Sequence, residues 1–234
     1  MSPKAAAKTF QLPGLHEMVI NAFGNPEFFN ILFPLLLEMC NTATPTKSGK
    51  SPLGTDAKAE SNEGEDISAP HDKILGCITS CIHVACVNDI LEQKENLIHV
   101  FLVSLSPGFP WTVKMSAFSS IKELCSRLHE IVDESEETSL DVGVTSLIYE
   151  LFHSVSPKVV ECISTVKIAQ VHITASECLL EMIELYKNLP SVQWTDGGFK
   201  DELLHLYEME KNEQAKSLLK ACIDGLKGLE KENA

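Results

Sequence analysis

The sequence predicts an all-α protein, an α-solenoid of antiparallel helix pairs, on three observations. Apolar residues recur in steps of three and four along most of the chain, which makes one continuous stripe on an α-helix. A two-residue alternation is sustained nowhere, so no sheet is expected. Prolines precede the periodic runs at Pro26, Pro70, Pro110 and Pro157, with successive spacings of 44, 40 and 47 residues. Proline in the first helical turn costs no hydrogen bond, so each marks a helix start.

The elements follow in order. Residues 10–40 read as N-terminal helices with apolar side chains concentrated at Phe23, Phe28, Phe29, Ile31, Leu32 and Phe33. Residues 41–70 hold almost no large apolar side chains and are rich in Gly, Ser, Thr, Pro and Glu. Such a stretch buries too little surface to offset its ordering entropy, so it reads as a disordered insertion on the surface of the repeats. Residues 71–189 carry the helical repeats, and residues 190–234 a closing pair. The predicted pairs are Ile31–Cys40 with Asp72–Leu91, Asn96–Leu105 with Trp111–Val132, Val142–Ser154 with Ile168–Leu189, and Phe199–Glu208 with Glu213–Leu229. Ser156–Thr165 reads as an extra helix in the third interval, and Asp133–Glu137 as an acidic loop. The proline spacing matches the roughly 40–47-residue period of HEAT and armadillo repeats.

Composition excludes several classes of function. The 234 residues include 19 Lys and Arg against 33 Asp and Glu, a formal charge of −14. A general nucleic-acid binder needs a basic face to neutralise phosphates, so no nucleic-acid partner is expected. The same charge disfavours docking on an anionic membrane. The longest apolar stretches, Ile31–Leu37 and Leu97–Leu105, fall well short of the about 20 residues that span a bilayer, so no membrane insertion is expected. Met1–Thr9 is followed by no apolar core of a secretory signal. The eight cysteines, Cys40, Cys77, Cys81, Cys86, Cys125, Cys162, Cys178 and Cys222, lie in apolar helical segments, as free thiols of a reducing compartment do. A cytoplasmic or nuclear location follows as the expectation.

Motifs for catalysis or cofactors are incomplete. Gly49-Lys50-Ser51 resembles the end of a phosphate-binding loop, but the glycine required five residues earlier is Thr44. His129-Glu130 starts like a zinc-protease helix, yet the second ligand position holds Asp133. Cys77, Cys81, His83 and Cys86 are the densest set of metal-ligand types. On a helix Cys77 and Cys81 share a face that His83 and Cys86 do not. No cofactor or metal is expected, and an enzyme is the disfavoured reading. Thr44-Pro45 and Ser51-Pro52 offer phosphorylation sites to a proline-directed kinase.

The run Phe109–Ala117 (FPWTVKMSA), followed by Ile121–Leu124 (IKEL), resembles the second helix of a HEAT repeat: a proline-led turn, a Val-Lys pair, then small residues that permit close packing. Together with Ile168–Tyr186 (IAQVHITASECLLEMIELY), it resembles the C-terminal region of the large proteasome adapter and scaffold family, in a plant-like version. The resemblance covers much of Asn96–Tyr186. It implies a non-catalytic adapter that binds the 26S proteasome and supports its assembly, quality control or tethering, with regulatory and core particle subunits as partners. Members of that family are several times longer, so the resemblance implies a C-terminal fragment, a truncated gene model or a short paralogue. Cut from a longer array, the first helices would expose apolar surface and be partly frayed or self-associating in isolation. The alternative is a HEAT or armadillo module of another assembly or of nuclear transport. The candidate partner-binding residues are Lys114, Lys122 and Arg127, a basic strip on the polar face of Trp111–Val132 suited to an acidic partner.

Overall fold

The computed structural model describes residues 26–42, 68–134, 140–189 and 198–232. Every regular element among them is helical. The order is α1 (Pro26–Asn41), α2 (Ser68–Val84), α3 (Val87–Glu92), α4 (Lys94–Ser104), α5 (Trp111–Glu134), α6 (Val142–Glu150), a π-turn (Leu151–Val155), α7 (Ser156–Thr165), α8 (Ala169–Lys187), α9 (Phe199–Met209) and α10 (Glu213–Glu232).

Two rows of helices build the core. The trailing helix of each pair packs on the next: α2 on α5, α5 on α8, α8 on α10. The leading helices touch in turn, α1 with α4, α4 with the π-turn, and α7 with α9. The stripes read from the sequence line this core. On α5, Val113, Ala117, Ile121, Leu124 and Leu128 are buried, as are Val171, Ala175, Cys178, Met182 and Tyr186 on α8.

Small side chains let the trailing helices approach closely. Thr79 Oγ1 of α2 lies 2.7 Å from Ser120 Oγ of α5. Cys222 Sγ of α10 donates to the Ser176 carbonyl of α8 at 3.7 Å. Each trailing helix also contributes one buried thiol, Cys81, Cys125, Cys178 and Cys222. Burial pushes the Cys81 and Cys222 thiols up to about 12 and raises those of Cys125 and Cys178 as well. These thiols are inert packing groups.

The structure departs from the sequence reading in several places. The helix expected over Asp72–Leu91 is broken at Ala85–Cys86, where the Asp89 carboxylate accepts from the Cys86 backbone N–H at 3.2 Å and starts α3. The insertion expected over 41–70 is shorter at its far end, because α2 begins at Ser68. Asp133 and Glu134 belong to the last turn of α5 and not to a loop. Cys77 and Cys86 are exposed, unlike the other six cysteines.

Ser156–Thr165 is helical, but it continues the rod that begins at Val142, and Pro157 does not start a separate helix. Proline has no N–H for the His153 carbonyl four residues earlier, and the wider turn over Leu151–Val155 absorbs that loss. Asp141 caps this rod, its Oδ1 accepting from Gly143 N at 2.6 Å and Val144 N at 3.3 Å. At the last pair, Gly198 precedes α9 with φ of 90°, a conformation open to a residue without Cβ.

Of the N-terminal apolar cluster, residues 28–33 lie in α1. Phe29 and Phe33 are buried with ring centroids 5.4 Å apart, while Ile31, Leu35 and Met39 face outward. Phe23, the Phe28 side chain, Thr44, Ser51 and the Gly49–Ser51 tripeptide lie outside the described residues.

Candidate interaction surface

Of the three basic residues expected to face a partner, Lys114 is not on the surface. It is 3% exposed. Its ammonium donates to the carbonyls of Leu105, at 2.8 Å, and Ser106, at 2.5 Å. Both follow the end of α4, where helix carbonyls have no partner within the helix and a cation is favoured by the helix dipole. Burial lowers the ammonium's pKa from the ordinary lysine value. Lys114 therefore ties α5 to the end of α4, and the expectation that it meets a partner is corrected. The error arose because its acceptors are backbone atoms, which side-chain periodicity does not register.

Lys122 and Arg127 lie at the surface with partners of their own. Lys122 Nζ pairs with Glu177 Oε2 at 2.9 Å, linking α5 to α8. Arg127 Nη1 meets Glu130 Oε2 at 2.5 Å, and Nη2 donates to the Ala85 carbonyl at 3.3 Å, where α2 ends. Two histidines extend the series. His83 Nδ1 is 2.8 Å from Glu123 Oε1, and His129 Nε2 is 3.9 Å from Glu181 Oε2. Of these groups Lys122, Glu123, His129 and Glu181 line an open groove of about 490 Å³ along α5 and α8, with Ser119, Ser126 and Thr174. The strip is charge-compensated. Exposed pairs of this kind contribute about 0–1 kcal/mol each, and they leave little net potential for an acidic partner.

The other potential ligands are likewise engaged or dispersed. His83 of the Cys77–Cys86 set is held by Glu123, and Cys81 points into the core. Among the described residues no three His, Cys, Asp or Glu side chains are placed to hold a metal ion. No described helix is long and apolar enough to cross a membrane.

A further exposed surface is apolar, and most of it lies on the leading helices; apolar exposure was expected from the sequence on the first of them and missed on α6 and α9. Ile31, Leu35 and Met39 on α1, Val142 and Tyr149 on α6, and Leu204 and Met209 on α9 are all exposed. Val142 reaches 83% and Ile31 70%. On the trailing helices the exposed large apolar residues stand at helix ends, Val84 and Trp111. A signal was present: ILFPLLLEMC in α1 and VGVTSLIY in α6 carry apolar residues well beyond one stripe, more than a single buried face can take. Tyr149 is held in place, its ring 4.1 Å from that of His153. His153 Nε2 in turn lies 2.9 Å from the Tyr186 hydroxyl, and Tyr186 stacks on Phe152 at 4.3 Å.

The chain was compared with known protein families, with curated proteins and with solved structures, and it matches none of them.

Proposed function

We propose that the chain is an α-solenoid of HEAT-like helix pairs serving as a non-catalytic adapter, and that its partner is the 26S proteasome. One observation carries the architectural part of this reading. Each trailing helix packs on the trailing helix of the next pair, and the leading helices follow in the same order. Nearest-neighbour stacking of this kind is how repeat arrays bury a continuous core while presenting an extended surface. The proteasome rests on the resemblance carried by Phe109–Leu124 and Ile168–Tyr186, which cover the first part of α5, nearly all of α8 and the residues leading into them.

The geometry moves the proposed contact away from Lys114, Lys122 and Arg127. The outward side chains of the leading helices take their place, with Tyr149 and Val142 at the centre. Apolar and aromatic groups that lose water on contact supply the energy of most interfaces, and rim charges tune rate and specificity.

The test is affinity purification of the tagged chain from cells, followed by quantitative mass spectrometry, beside a Tyr149→Glu, Val142→Glu double variant. Enrichment of regulatory and core particle subunits, lost in the variant, is the expected result. Enrichment of a different assembly would overturn the proteasome assignment while leaving the scaffold reading standing. Capture unchanged in the variant would remove the leading helices as the contact face.

A further inference from the structure

The corner where α2 begins contains a buried histidine, apart from the exposed apolar face. His71 is 3% exposed, its ring centroid 4.6 Å from that of Phe109. His71 Nε2 lies 2.9 Å from Ser104 Oγ, and that hydroxyl donates its one proton to the Val100 carbonyl at 2.7 Å. Ser104 Oγ is therefore the acceptor, and Nε2 carries the ring proton. In the neutral ring Nδ1 holds the lone pair, and Nδ1 is buried without a hydrogen-bond partner. A second proton would place both an unpaired N–H and a positive charge inside the core.

We propose that His71 is an acid-released lock. Neutral, it pins the start of α2 to the end of α4 and the turn through Phe109; protonated, it no longer fits, and this corner opens.

The surrounding charges are few. On α2, the Asp72 carboxylate accepts a hydrogen bond from Ser116 of α5 and favours protonation of the ring. Lys114 of α5 is bound to the carbonyls of Leu105 and Ser106. The ionisable residues of α4 are Lys94 and Glu95 in its first turn and His99, which is exposed and pairs with Asn41. On α1, the described ionisable side chains are exposed Glu38 and buried Cys40. Burial is the larger influence and lowers the ring's pKa from 6.5, with Asp72 acting against it.

In the open corner the ring titrates near its ordinary value of about 6.5. The closed corner therefore keeps its full stability above that pH. It loses stability as pH falls from there toward the lower closed-state value, and loses no more below it. Inside that window one proton changes the opening equilibrium by up to about tenfold per pH unit.

The experiment is an NMR titration of the His71 ring in the full chain from about pH 7.5 to about pH 5, the range in which histidine switches. Amide exchange, corrected for intrinsic rates, is followed over residues 71–75 and 105–109 alongside α10 as an internal reference. The expected result is titration below 6.5 and protection at this corner falling by up to about tenfold per pH unit, with α10 unchanged. In His71→Phe, which fills the same space without titrating, the corner stays closed across the range. A ring that titrates at or above 6.5, or protection that ignores pH, overturns the lock. So does a folded His71→Phe variant that keeps the pH dependence. Should the variant fail to fold, the wild-type titration and exchange decide alone.

Discussion

The trailing helices and the leading helices bury their stripes against each other but treat their outer sides differently. α5, α8 and α10 are long and continuous, and along α5 and α8 the outer side is polar and paired, through Lys122–Glu177, His83–Glu123 and His129–Glu181. The leading row contains Pro34 within α1 and the π-turn between α6 and α7, and it leaves Ile31, Leu35, Val142, Tyr149, Leu204 and Met209 exposed. A helix polar on its free side is finished once its stripe is buried. A helix apolar on both sides still gains by burying the second. The difference makes the trailing row the stacking row and leaves the leading row with the exposed apolar side that the proposed adapter would use.

The largest expected effect tests the stacking row. Phe118 on α5 is fully buried, so Phe118→Ala removes its packing and leaves a cavity. A loss of about 3–5 kcal/mol is expected, read from the urea midpoint at unchanged m-value. A loss below about 1 kcal/mol would mean that α5 is not the stacking element its burial indicates.

The second prediction sets two lysines of α5 against each other. Lys114→Met removes two hydrogen bonds from a buried ammonium, leaving the Leu105 carbonyl with only the Cys162 thiol and the Ser106 carbonyl with only the Phe109 N–H, and should cost about 1.5–3 kcal/mol. Lys122→Met removes only a partly exposed pair with Glu177 and should cost less than about 1 kcal/mol. Equal costs in parallel denaturation curves would erase the distinction between the anchoring lysine and the surface one.

These two lysines also show what the sequence could and could not reveal. The helix pairs were legible because steps of three and four survive in every long element, and Pro26, Pro70 and Pro110 fell at helix starts, as Pro157 did not. The break at Ala85–Cys86 was not, because Cys86 with Asp89 is a weak start signal beside the continuous apolar run around it. The π-turn was hidden for a related reason. Pro157 reads as a helix start, and a widened turn that accommodates it leaves no mark of its own, so Val142–Thr165 reads as two helices where the chain forms one rod. The candidate site was the least legible part. Lys114 stands one residue, about 100°, from the buried Val113, which by periodicity alone is a boundary position. Its fate was decided by carbonyls at the end of another helix. Lys122 and Arg127 were neutralised by Glu177 and Glu130, and the Lys122 pair requires knowing that α5 lies against α8.

The smallest expected effect on stability sharpens the comparison most. Tyr149 and Val142 lie seven residues apart, on one side of α6, and both are exposed. Val142 is almost wholly exposed and Tyr149 about half exposed, so replacing both with Ser should cost less than about 1 kcal/mol, most of it from the Tyr149–His153 ring contact. Lys122→Met alters the trailing row by a similarly small amount. Capture of partners should separate the two, falling sharply for Tyr149→Ser, Val142→Ser and staying near wild type for Lys122→Met. A leading row that existed only to close the core would give the opposite pattern: a stability cost of 1 kcal/mol or more, on the order of a typical core change, with capture untouched. Thermal unfolding and quantitative purification on the same samples distinguish these outcomes. The outer side of α6 is a contact surface only if stability and binding come apart there.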